Sequence, residues 1–449
     1  MAEIGPRAVV TLDGITVRGG YPGPNAYGGG LLSAGTLTLR DSVVTHNTAG
    51  AGGGLANSGG VLTVEHSQIT ANTALYFGGG GIQNGGLHNR AGAVTVVASL
   101  VNGNTGGGDG GGILNGQNGH PSLEGEPAMA VRAYCSLLPR CALASDGAGG
   151  AAPLQPPYPL TLTVVGSAVS NNNGSNAGGG IANDGGVTLV RNSAVSGNAT
   201  PGAIGGGLSA YGSLTVRGST LSANTAVYGG GIEYFSGGVA GAVVVLSSTL
   251  HANTANIGGG IDVSGALTVR GSTLSANTAQ QGGGLELEGG SSVTLSNSTL
   301  SENSAAALQT YGCDSGTVRY VTFAGNATAL NLGCSAITLS GTIVAASTAG
   351  ANCVGAHPGE GAGYNLDSGA SCGLRQSTDL TTTDPLLGLL ADHGGPTLTQ
   401  ALLPGSPAID QGGAPATGCP ATDQRGVARP QGSSCDIGAY ERAPAPAEH

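Results

Sequence analysis

Short alternations of apolar and polar residues recur along this chain at a constant phase from an asparagine. Leu37 and Leu39 flank Thr38, Leu62 and Val64 flank Thr63, Leu214 and Val216 flank Thr215, and Leu267 and Val269 flank Thr268. Each triplet ends eight residues ahead of an asparagine, and the same count from Asn25 selects Ile15, Thr16 and Val17. An alternation of period two over so few residues predicts a short strand with one buried and one exposed face.

The asparagine itself recurs eleven times, as Asn25, Asn47, Asn72, Asn104, Asn172, Asn198, Asn224, Asn253, Asn277, Asn303 and Asn326, mostly 22 to 29 residues apart. Three residues ahead of it runs a second apolar column that includes Val44, Ile69, Val195, Leu221, Leu274 and Phe323. A third follows each glycine cluster, as at Leu31, Leu55, Ile82, Ile181, Leu208, Ile232, Ile261 and Leu285. Three short apolar segments per period, separated by turn residues, describe an all-β solenoid in which each coil pairs only with its neighbours. The fold class that follows is a parallel β-helix of about 11 to 13 coils.

At the repeat position an asparagine can serve as both donor and acceptor, so a stack of them predicts a structural ladder at a tight bend, clearest at Asn47, Asn72, Asn198, Asn224, Asn253, Asn277, Asn303 and Asn326. Triplets such as Gly178 to Gly180 and Gly229 to Gly231 mark another corner, where glycine permits positive φ and close stacking. None of these runs ends in the Gly-Lys-Ser/Thr of a phosphate loop.

The repeat predicts a body over residues 1–345, with a proline- and cysteine-bearing insertion at 106–159. After Phe323 the period decays, and residues 346–441 read as a distinct C-terminal module followed by a short tail at 442–449. The opening strand at Val9 to Val17 stands so close to Met1 that the chain reads as starting inside a longer protein.

The composition narrows the setting. The chain has 14 basic residues, all arginine, against 25 acidic ones, for a net charge of −11. Nucleic acid is therefore not an expected partner, because its binding needs a basic stripe. No stretch has the length and apolarity of a membrane-spanning helix. Eight cysteines, Cys135, Cys141, Cys313, Cys334, Cys353, Cys372, Cys419 and Cys435, without a Cys-x-x-Cys pair point to disulfides and export rather than a zinc site. Cys313 and Cys334 stand about one coil apart, and the pairing of the others is open.

Candidate chemistry is sparse. Beside the threonines stands a line of arginines, Arg18, Arg40, Arg191, Arg217, Arg270 and Arg319, with Glu65 among them. Arg191, Arg217 and Arg270, with Thr215 and Thr268, form the candidate face for an acidic or hydroxyl-rich glycan; the competing reading is a solubilising sheet surface. Glu233, Asp262 and Glu286 fall in one repeat register and form a candidate acidic patch across adjacent coils, expected to be a solvated face, with a cation or ligand site and, as a catalytic alternative, the acid–base residues of a polysaccharide lyase or glycoside hydrolase as the competing readings. His46, His66 and His251 sit near the corners without ligand spacing. No cofactor is expected, apart from a structural Ca2+ that the module's aspartates Asp384, Asp410, Asp423 and Asp436 could hold; an Asp-Arg pair involving Arg425 is the other way to stiffen that module.

The module's vocabulary is specific: Asp384-Pro385-Leu386-Leu387, Pro404-Gly405-Ser406-Pro407-Ala408-Ile409-Asp410, Asp423-Gln424-Arg425-Gly426 and Ile437-Gly438-Ala439-Tyr440-Glu441. It resembles the C-terminal module of bacterial surface proteins with a choice-of-anchor Q domain, over about residues 380–441. That resemblance implies a preceding right-handed β-helix of the pectate-lyase type and a following anchoring tail; the sequence stops at Ala-Pro-Ala-Pro-Ala-Glu-His before such a tail, which reads either as truncation or against covalent or sorted anchoring. The Gly-Gly-Gly-Ile/Leu and Leu-Ser-x-Asn repeats, with Phe323-Ala324-Gly325-Asn326 in the Phe form, are similar to those of chlamydial polymorphic outer-membrane proteins, which implies adhesin architecture. The reading is an exported solenoid at the bacterial surface, adhesive or structural, with a cell-surface glycan or protein as partner.

Overall fold

The computed structural model describes all residues except 86–91, 117–159, 238–240, 335 and 444–449. Three parallel sheets run the length of a right-handed solenoid, two of 13 strands and one of 14. One coil shows the plan. Leu208–Ala210 lies in the first sheet, Ser213–Arg217 in the second and Thr220–Ser222 in the third, each pairing in register with the coils before and after.

The apolar columns meet inside. Leu208, Leu214, Val216 and Leu221 are all buried, as are their counterparts in neighbouring coils, in one continuous core. At about 1.5–3 kcal/mol for each large apolar side chain removed from water, this stack drives the fold, but only when coils lie on both sides.

The asparagine ladder forms as expected. The Nδ2 of Asn198 donates to Asn224 Oδ1 at 3.0 Å and to Val169 O at 2.9 Å, while the Asn198 N–H donates to the same Oδ1 at 3.0 Å. One side chain thereby satisfies buried polar groups on three coils. The ladder also steps over the predicted insertion, since Asn104 Nδ2 donates to Asn172 Oδ1 at 3.0 Å.

Four expectations change. Asn25 is exposed and lies outside the ladder; Gly20 takes that position, its N–H donating to Asn47 Oδ1 at 2.9 Å. The strand of the second sheet in this coil is Val9–Asp13, whereas Thr16–Arg18 belongs to the third, so Thr16 and Arg18 leave their predicted columns. The cause is local: Ile15-Thr16-Val17 mimics the repeat triplet at a spacing within the normal period. Secondly, Thr105–Gly106 and Ile113–Gly116 are ordinary coil strands, so the first residues assigned to the insertion belong to the solenoid.

Thirdly, the sheets run past residue 345. Cys353–Gly355, Gly359–Gly363, Leu366–Asp367 and Leu380–Thr381 extend them, although their sequence no longer shows the repeat. Fourthly, the acidic patch is buried, as described below. Disulfides Cys313–Cys334, Cys353–Cys372 and Cys419–Cys435 staple the C-terminal third, with Cα atoms 4.6, 4.9 and 6.4 Å apart. Cys135 and Cys141 lie outside the described residues.

Beyond Thr381 the chain forms an antiparallel pair, Leu387–Ala391 with Thr399–Leu402, and a compact region that folds back onto the solenoid. Its interior is held by ion pairs. Arg425 Nη2 meets Asp423 Oδ2 at 2.7 Å and stacks over Tyr440, and Arg429 Nη1 meets Glu441 Oε2 at 3.0 Å.

Candidate functional site

Between the second and third sheets each coil bends through a left-handed residue, such as Ala98, Gly166, Asn192 or Gly218. The next residue is a serine turned inward: Ser67, Ser99, Ser167, Ser193 and Ser219 are all buried. Each accepts from the serine of the preceding coil, as in Ser167 N to Ser193 Oγ at 3.1 Å, and donates to the carbonyl that ends the second-sheet strand before it, as in Ser193 Oγ to Arg191 O at 2.8 Å. This second ladder was legible in the sequence, because a serine stands five residues ahead of nine of the asparagines. A third ladder links Asn57, Asn84, Asn115 and Asn183 at the end of the first sheet, with Asn115 Nδ2 donating to Asn183 Oδ1 at 2.9 Å.

Outside the serine ladder the bend is re-entrant, and it forms an open groove of about 640 Å³ along five coils. Its lining is His66, Ser67 and Gln68, then Ala98 to Leu100, Gly166 to Ala168, Asn192 to Ala194, and finally Gly218 and Thr220. The His66 imidazole, the Gln68 and Asn192 amides and the Thr220 hydroxyl stand along it, the ladder serines being turned inward, and among the described residues no acidic or phenyl side chain lines it.

Of the predicted arginines, Arg191 and Arg217 stand next to each other in adjacent strands, each one residue before the groove. Both are exposed. Leu246 separates them from Arg270. Thr215 and Thr268 are half-buried on the same sheet, farther from the bend. Arg40 pairs with Glu65 at 3.2 Å, and Arg319 donates to Gly418 O at 2.6 Å, so neither belongs to the groove edge. The cationic edge is therefore shorter than the sequence suggested, and it borders a concave bend rather than a flat sheet.

The acids lie elsewhere. Glu233, Asp262 and Glu286 occupy successive strands of the first sheet in strict register, which confirms their juxtaposition, but all three are buried instead of solvated. Gln83 explains the geometry, because it occupies the same column and its Oε1 accepts the Gly79 N–H at 3.0 Å. Side chains here curl back against the glycine corner. Burial, then the neighbouring Asp262, Glu288 and Asp314, push the Glu286 carboxyl up to about 9. Burial and the Asp109 charge push Asp184 up to about 7, and burial raises Asp109 to about 6. Near neutral pH Glu286 thus keeps its proton, while half-buried Asp184 lines a small separate cleft with Asp109; none of these acids lines the groove. Among the described residues the groove presents no carboxylate acid–base pair.

His66 enters the groove, whereas His46 lies 2.8 Å from Thr45 Oγ1 and His251 lies 3.1 Å from Ser275 Oγ. In the C-terminal region Asp384 accepts from Leu386 N, Asp410 from Ser434 N, and Asp436 from Asp410 N. Burial raises Asp436 to about 6. Among the described residues, no three His, Cys, Asp or Glu side chains are grouped to hold a metal ion.

Residues 254–378 match the family model described as a right handed beta helix region. This match and the sheet topology define the chain as a right-handed parallel β-solenoid. No curated protein and no solved structure matches it.

Proposed function

We propose that this chain is an exported adhesive solenoid of the bacterial surface, which binds an anionic extracellular polymer in the lateral groove and performs no chemistry on it. The observation that carries the reading is the groove itself: a re-entrant bend over five coils that presents His66, Gln68, Asn192 and Thr220, is bordered by Arg191 and Arg217 toward one end and by the Arg40-paired Glu65 at the other, and has no acidic lining among the described residues. A chain of net charge −11 whose described groove lining contains no acid favours anionic ligands there over general adsorption. Three disulfides fit an oxidising compartment. The likeness of the C-terminal region to choice-of-anchor Q modules would put that end nearest the attachment point.

Retention of the purified protein on immobilised polygalacturonate and polyglutamate, eluted with salt, tests this. The protein should be retained on at least one polymer, and Arg191→Ala/Arg217→Ala should elute at markedly lower salt. Equal retention of the double variant, or no retention on either matrix, would overturn the reading.

A further inference from the structure

The groove is the open half of a longer trough. Along the third sheet one column runs Thr220, Thr249, Thr273, Thr299 and Thr322 in unbroken register. Thr220 is exposed, whereas Thr273, Thr299 and Thr322 are buried, because the C-terminal region lies on them. The trough binds that region as a polypeptide. Thr273 Oγ1 donates to Leu398 O at 2.6 Å, Asn297 Nδ2 to Thr422 O at 2.7 Å, and Thr397 Oγ1 to Gly271 O at 3.1 Å. In the other direction the Ala439 N–H donates to Thr322 Oγ1 at 3.0 Å and the Gly438 N–H to Gly341 O at 2.7 Å.

The open coils repeat this seat. Gly218 and Thr220 stand where Gly271 and Thr273 stand in the covered coils, and Asn192 stands where Asn297 does. We infer that the open stretch binds an extended, acidic polypeptide segment of a partner protein, in the manner in which the covered stretch binds this chain's own C-terminal region. The inference rests on the groove reading above and narrows its ligand class. Two observations favour polypeptide over glycan: the trough already holds one, and among the described residues no phenyl or indole ring lines the open part for a sugar to stack on. Acidity follows from Arg191 and Arg217 at the edge.

The test uses the whole chain and a fluorescent synthetic peptide carrying the 395–402 sequence behind two added aspartates, with polygalacturonate run in parallel. Saturable peptide binding is expected. It should weaken roughly five- to tenfold in Thr220→Val, which loses one hydroxyl partner, and vanish in Ala194→Trp, which fills the groove. Unchanged melting of both variants would exclude misfolding. If polygalacturonate binds and is lost in Ala194→Trp while the peptide does not bind, the polypeptide inference fails and the groove reading stands. If neither probe binds, or if Ala194→Trp binds both like the parent, the groove reading fails and the inference with it.

Discussion

Asp262 lies directly beside Glu286 on the neighbouring strand of the first sheet, and the two residues are 0% and 1% exposed. Strands in one sheet are separated by about 4.8 Å, so two ionised carboxylates at this register would repel strongly in a medium that screens poorly. Burial first, and then that repulsion, keep the proton on Glu286 and push its carboxyl up from 4.5 to about 9.

Stability should therefore fall as pH rises. Between about 4.5 and about 9 the unfolded chain has released the Glu286 proton and the folded chain retains it. The unfolded state binds fewer protons, and alkali favours it. Urea midpoints at pH 5, 7 and 9 should decline, with Glu286→Gln matching the parent at pH 4 and exceeding it at pH 8. Parallel curves for the two proteins would contradict the protonated assignment.

The asparagine ladder makes a sharp contrast between two positions with the same residue. Asn224 donates to Val195 O and Asn253 Oδ1 and accepts from the Asn198 backbone, all in the interior. Asn224→Ala should cost about 2–4 kcal/mol, because partners on both neighbouring coils lose a buried hydrogen bond. Asn25→Ala, at an exposed site, should stay within about 0.5 kcal/mol of the parent by chemical denaturation.

Cys353–Cys372 staples a stretch where the sequence repeat has faded, closing a separation of 19 residues. Replacing both cysteines with serine should cost about 3 kcal/mol. Hydrogen exchange should locate the loss in strands 353–355, 366–367 and 380–381, leaving the coils around Asn198 protected.

The Arg429–Glu441 pair is fully enclosed, and Glu441 also accepts from the Asp436 and Gln431 amides. Glu441→Gln leaves a buried guanidinium without its counter-charge, a change worth about 3–5 kcal/mol. The C-terminal region should loosen from the trough before the coils melt. Faster exchange at Thr273 and Thr299 than in the parent, at unchanged exchange around Leu214, would show it.

Most of the body was readable in the sequence because a solenoid writes its cross-section into each period. Leu214, Thr215 and Val216 declare one buried and one open face, and Asn224 marks the bend that follows. The same periodicity misled at the first coil, where Ile15, Thr16 and Val17 imitate that triplet while Val10 and Leu12 do the corresponding packing. Glu233, Asp262 and Glu286 were correctly placed in one register, but their burial depends on how the glycine corner turns back over the first sheet, which spacing does not encode. The serine ladder was present in the spacing yet carried no apolar signature. Least legible was the groove. Its open extent is decided by where residues 397–439 come to rest on coils 125 positions earlier, as between Thr299 and Gln424.

Hydrogen exchange of the full chain with and without polyglutamate tests the central claim, ligand binding in the re-entrant bend, most directly. The groove account predicts slowed exchange at residues 166–168, 192–194 and 218–220, lost in Arg191→Ala/Arg217→Ala. Protection confined to other surfaces, or no protection at saturating polymer, would contradict it.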